Sequence, residues 1–272
     1  MLCLVLAIFS SAMVSIAMRL SETKIKYPMG LLGSNYLVCS VIALVYCRMF
    51  SNDAVLIGFS AVNGFLYLAG FVLMQWNIHH NGVVMSSTFM KLGLLVPIIA
   101  SMIFFSEVPT LTQMAGLCLA LISIVLLKEK QASQKLVMGP LIFMLICGGM
   151  TDFTSKIFEQ QFLSELKDMF LLLTFFSAMV FCCLLLMIKK QRIGKNELLY
   201  GIFVGIPNYF SARFLLLALT SVDAIIAYPT YSVATILVVT VLGRILFQEK
   251  LSSRQMKVMT MILASLILLN LS

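Results

Sequence analysis

The chain has 272 residues, 61% of them apolar or aromatic and only 11% charged, with a mean hydropathy of +1.05. Soluble domains are roughly half apolar and about a quarter charged, so a water-soluble globule is excluded. Nineteen Lys and Arg against eleven Asp and Glu give a net charge of +8, which in so apolar a chain records membrane orientation rather than nucleic-acid binding.

Ten apolar runs, each bounded by charged or turn residues, predict membrane helices over 2–18, 28–48, 54–78, 83–105, 110–127, 136–158, 168–188, 196–220, 224–247 and 252–270. A spanning helix uses about 20 residues, so ten leave room only for short connections. The fold class expected is an all-α, multi-pass membrane protein. The first run has no basic start and no small-x-small cleavage site, so it reads as the first membrane helix rather than a signal peptide. The connections His79-His80-Asn81-Gly82 and Ser221-Val222-Asp223 are so short that the helices they join must be antiparallel neighbours. Seven Cys lie in apolar runs without CxxC spacing or a nearby His, and read as small apolar filler.

Sliding the chain by 142 positions lays Glu107 to Met114 on Glu249 to Met256, Tyr67 on Tyr209 and Thr88 on Thr230, without a gap. Over 67–127, 14 of 61 positions are identical, where the skewed composition alone would give about five or six. The reading is two five-helix repeats, 1–130 and 136–272. Five is odd, so the second repeat crosses the membrane in the opposite sense, an inverted-topology repeat. Connections after odd-numbered helices carry 14 Lys and Arg, whereas those after even-numbered helices carry only Arg48, Lys156 and Lys167. The bias places the first set in the cytoplasm and both termini outside.

Ten helices, the five-plus-five repeat and the turns Phe104-Phe-Ser-Glu107-Val-Pro and Leu246-Phe-Gln-Glu249-Lys-Leu-Ser resemble the EamA-like family of the drug/metabolite transporter superfamily. Ala218 to Thr230 is similar to that family's junction of helices 8 and 9. The resemblance spans the whole chain. It implies a plasma-membrane exporter or exchanger of small metabolites, amino acids or drugs, and some relatives carry lipids or ions. Two features depart from it: the charge count sets the termini outside, and the first helix lacks the membrane-embedded Glu of the small four-helix relatives.

Charges inside a bilayer are costly and usually functional. Lys91, Asp152 and Arg213 lie well within predicted helices, and at the 142 shift they fall on Val233, Ser10 and Phe71, so none is duplicated. Lys91 is a candidate substrate contact, with structural pairing as the alternative. Asp152 is the candidate for proton coupling, with an ion pair to Arg213 as the alternative. Ser87 and Thr88 share the face of Lys91, and Tyr228, Tyr231 and Thr235 share another helix face. Asn63, Tyr67, Asn208 and Tyr209 sit near helix middles, where lipid offers no hydrogen-bond partner. With Arg213 they are expected to line a polar midplane cavity that binds substrate, each one alone being equally an interhelical hydrogen bonder. Glu107 and Glu249 read as structural turn residues set against helix dipoles. Small-x-x-x-small patterns at Gly201/Gly205, Gly116/Ala120 and Ser60/Gly64 allow close helix approach. Gly148-Gly149, Pro97, Pro207 and Pro229 are candidate bending points.

Enzyme chemistry is not expected. The only His residues are His79 and His80, at a membrane edge, and there is no metal-ligating cluster and no GxxxxGK phosphate loop. The expected function is secondary transport of a small solute by alternating access. The alternative is flipping of a phosphorylated lipid carrier, with Lys91 or Arg213 on the phosphate. Neither metal, cofactor nor nucleic acid is expected, and the partners are a small-molecule substrate and the bilayer, with a monomer expected and a dimer as the alternative. A reporter enzyme fused to the C-terminus is expected to show extracytoplasmic activity, and cytoplasmic activity would overturn the orientation read from the charges.

Overall fold

A computed structural model describes residues 1–21, 24–81, 83–126, 137–247 and 253–270. Every regular element among them is helical: α1 (Leu2–Ser21), α2 (Pro28–Tyr46), α3 (Ala54–Asn81), α4 (Val83–Leu92), α5 (Leu95–Phe104), α6 (Leu111–Leu126), α7 (Met138–Gln161), α8 (Lys167–Ile188), α9 (Lys195–Leu219), α10 (Ala224–Phe247) and α11 (Ser253–Asn270), with a short 3-10 turn at Ser164–Leu166. Seven helices are long and apolar enough to cross a membrane, and Phe89–Phe104, Leu111–Leu126 and Met256–Asn270 are shorter apolar helices. Large apolar side chains stand fully outward along them; Val45, Ile188 and Leu2 are 77%, 76% and 73% exposed. Such faces suit lipid, not water, as in a multi-pass membrane protein.

The predicted segments and the observed helices agree closely, with two corrections. The helix expected over 83–105 is interrupted between Leu92 and Leu95. Pro97 has no N–H to offer the Gly93 carbonyl four residues back, and that carbonyl accepts a tighter bond from the Val96 N–H instead, at 3.0 Å. The third helix runs on to Asn81, through most of the predicted connection. Its end is held by buried amides: Asn81 Nδ2 donates to Asn77 Oδ1 (2.8 Å) and the Val137 carbonyl (3.2 Å), and Asn77 Nδ2 donates to the Pro140 carbonyl (3.0 Å). Pro207 and Pro229 lie inside α9 and α10 without interrupting them.

Two compact units emerge, Met1–Leu68 with Ile157–Ala218, and Ala69–Lys156 with Leu219–Ser272. Each draws on both sequence repeats, and α3 and α7 each contribute to both units. In the first unit α2 and α8 pack extensively. Tyr36 stacks on Phe175 at 6.4 Å between ring centres, and Cys182 Sγ donates to the Met29 carbonyl at 3.4 Å. In the second unit α6 and α11 form the corresponding pair, burying Ala120, Ile124, Ile262 and Leu269.

Small residues make these approaches possible, as the small-x-x-x-small patterns predict. A side chain at Gly116 would lie 2.9 Å from the Leu269 backbone nitrogen on α11. At Gly205 it would meet Val38 Cβ at 2.8 Å, and at Gly201 it would run into Ser34. Gly64 lies against the α8 backbone at Thr174 and Ala178. Replacing Gly201 by Leu therefore overpacks the α2–α9 contact, at a cost of about 1–3 kcal/mol. Gly58→Leu is the control, since a Cβ there meets nothing within 4 Å. The thermal midpoint of the detergent-solubilised chain is expected to fall for Gly201→Leu and to hold for Gly58→Leu.

Candidate functional site

The break in the fourth segment sets the stage in the second unit. Gly149 of α7 lies directly against Gly93, where even one added carbon would collide with the Gly93 carbonyl and with Val96. This contact seats the break on α7. Lys91 stands two residues before Gly93, and Asp152 lies three residues beyond Gly149 on α7. Both are half-buried. Among the described residues they make no direct ion pair. The Tyr228 hydroxyl of α10 donates to the Asp152 carbonyl at 2.5 Å. Tyr231 is half-buried one turn along α10. The hydroxyls of Thr235 on α10 and Ser101 on α5 are buried with no hydrogen-bond partner among the described residues. The side chains of Ser87 and Thr88 lie outside the described residues, as does Glu249.

A second charged cluster in this unit corrects the loop count. Lys156, expected in a connection, is inside α7 and 2% exposed. Its Nζ pairs with Glu107 Oε1 at 2.9 Å and lies 5.8 Å from the centre of the Phe105 ring. Glu107 Oε2 accepts the Ile225 N–H at 3.3 Å, near the start of α10. Glu107 thus braces a turn, as the sequence reading expects, but the helix end it caps belongs to α10 and not to α6. A carboxylate there satisfies a backbone N–H that the helix itself leaves open. The sequence held the clue: Lys156 lies two residues inside the predicted helix, too deep for a loop charge.

In the first unit the charged cluster centres on Asp168, which the sequence reading missed. It sits in the first turn of α8 and is buried. Arg213 of α9 grips it with two parallel bonds, Nε to Oδ1 at 2.6 Å and Nη2 to Oδ2 at 3.1 Å. The Tyr209 hydroxyl donates to Oδ1 at 3.2 Å. The guanidinium lies over the Tyr46 ring, 4.6 Å from its centre, and Tyr46 stacks on Tyr209. The alternative pairing of Asp152 with Arg213 is therefore replaced by Asp168 with Arg213. Asp168 escaped notice because it begins an apolar run, where a charge reads as a boundary in water.

The remaining expected polar residues of the first unit bind neighbouring helices. Asn208 Nδ2 donates to Asn35 Oδ1 of α2 at 3.1 Å, and Asn63 Nδ2 to Thr174 Oγ1 of α8 at 3.4 Å. Tyr67 packs on Phe175, 5.7 Å between ring centres. Asn35 and Thr174 are partners that the sequence reading did not name. The expected site residues thus fall into two groups: Asn63, Tyr67, Asn208, Tyr209 and Arg213 in the first unit, and Lys91, Asp152, Tyr228 and Tyr231 in the second.

Truncating Lys156 to Met strands the Glu107 carboxylate in a buried place, which costs about 3–5 kcal/mol. Its thermal midpoint is expected to drop by on the order of 10 °C. The double change Lys156→Met with Glu107→Gln is expected to recover most of that loss in the same melting measurement.

No family model matches the chain, and no curated protein matches it. A solved crystal structure of a protein aligns with a TM-score of 0.76 over 99% of this chain and 96% of that one, at 13% sequence identity. At that identity the likeness is one of fold.

Proposed function

We propose that this chain is a secondary transporter of a small metabolite, amino acid or drug-like solute, an exporter or exchanger working by alternating access in the plasma membrane. The observation that carries the reading is the interrupted fourth segment, where Gly93 packs on Gly149 of α7, with Lys91 two residues before Gly93 and Asp152 three residues beyond Gly149. Secondary transporters characteristically build substrate and coupling-ion sites at such breaks, where charged groups are kept within the membrane. In this reading Lys91 contacts the solute and Asp152 is its counter-charge and the carrier of a coupled proton. The resemblance to the EamA-like family points the same way.

The inverted repeat belongs to the same proposal. Shifting the bounds of α2 by 142 gives 170–188, beside the observed Lys167–Ile188 of α8; shifting α6 gives 253–268, beside Ser253–Asn270 of α11. These equivalents also pack against each other, α2 on α8 and α6 on α11, as expected of duplicated elements.

The test is transport by the chain alone. Purified protein in liposomes is offered a mixed pool of metabolites, and uptake in both membrane orientations is followed by mass spectrometry. Accumulation of a defined solute is expected, and Lys91→Ala is expected to lower it by about tenfold or more while insertion stays normal. Absence of any transported solute would sink the transporter reading; full activity in Lys91→Ala would remove Lys91 from the site.

A further inference from the structure

A cavity of about 470 Å³ opens in the first unit, where α2 ends and α8 begins. It is lined by Tyr46, Arg48 and Met49 after α2, by Glu165, Lys167 and Asp168 at the start of α8, and by Arg213 of α9. The volume suits a metabolite-sized ligand.

Its charges do not cancel. Asp168 is fully occupied, since both of its oxygens accept from Arg213 and one also accepts from Tyr209. Arg213 spends Nε and Nη2 on that fork, and Nη1 has no hydrogen bond among the described residues. Arg48 is exposed and forms no ion pair among the described residues. Lys167 makes only a long bond, 3.4 Å, to the Ser164 carbonyl. Against these stands one exposed carboxylate, Glu165. A guanidinium already stacked on an aromatic ring and held by a carboxylate is a fixed donor, and fixed donors recognise planar or tetrahedral oxyanions well. The Tyr46 ring and the Met49 side chain add an apolar surface beside it.

We propose that this cavity binds a small organic anion, a phosphate or carboxylate attached to an apolar or aromatic body. Arg48, Lys167 and the free edge of Arg213 take the oxyanion, and Tyr46 and Met49 take the body. Lys91 and Asp152 are not among its lining residues, so this site stands apart from the transport reading and is measured by binding alone. The anionic group can arrive on a soluble molecule or as a phospholipid headgroup.

The probe is phenyl phosphate, titrated by calorimetry into the full chain held in nanodiscs of pure phosphatidylcholine. Saturable binding is expected. Arg48→Gln with Lys167→Gln is expected to weaken it by about tenfold or more, the loss of charge-assisted hydrogen bonds, and Glu165→Gln to strengthen it. These three side chains lie outside the Asp168 ion pair, and an unchanged melting midpoint verifies that the variants fold. No saturable binding, unchanged binding in the double variant, or equal binding of the cation phenethylamine overturns the proposal. Repeating the titration in nanodiscs enriched in phosphatidylglycerol separates the sources. Loss of phenyl phosphate binding identifies a lipid headgroup as occupant, unchanged binding identifies a soluble anion, and both support the site.

Discussion

Hydrocarbon offers no hydrogen-bond partner, and the arrangement of this chain follows from that constraint. Each polar group carried into the bundle has to be answered by another helix or by a cavity. The first unit answers Asp168 with Arg213 and Tyr209, and Asn35 with Asn208. The second answers Glu107 with Lys156 and the first turn of α10, and Asn81 with Asn77 and Val137. Small residues serve the same end, because helices that touch backbone to backbone bring short polar side chains within reach. Lys91 and Asp152 stand out against this pattern: among the described residues neither closes into an ion pair.

The helical segments were legible in the sequence because a bilayer demands long apolar runs and punishes interruptions. Pro97 was legible as a bending point, but not as the one proline at which a helix breaks. Pro207 and Pro229 also sit inside apolar runs, yet α9 and α10 continue through them. What distinguishes Pro97 is the bare backbone of Gly149 pressed against the Gly93 carbonyl, a tertiary contact that no local pattern announces. Asp168 was hidden for a related reason. A charge at the margin of an apolar run looks solvated, and only the neighbouring helices reveal that it is enclosed. Arg213 and Lys91 were legible because they stand deep in their runs, although the partner of Arg213 was not.

The 142-residue offset separates scaffold from chemistry. Elements recur at that spacing, as do Glu107 with Glu249 and Tyr67 with Tyr209. The ion pairs do not recur: Asp168 falls on Lys26, Arg213 on Phe71, Lys91 on Val233 and Asp152 on Ser10. The proposed duplication would account for a frame of paired helices. The unduplicated charges make the two units chemically different, one with a tight, satisfied pair beside an open anionic-ligand cavity, the other with a looser pair at a helix break.

The α2 contacts carry a consequence for biosynthesis. Asn35 meets Asn208, and Cys39 meets the Gly205 carbonyl, across 173 and 166 residues of chain. At ~5–20 residues per second, a ribosome needs roughly ten seconds or more to deliver those partners after α2 has left the tunnel. During that wait Asn35 lacks its Asn208 partner, while the Cys39 thiol can bond Asn35 one turn back in α2. The α2–α9 contacts therefore close late in synthesis, once α9 has emerged.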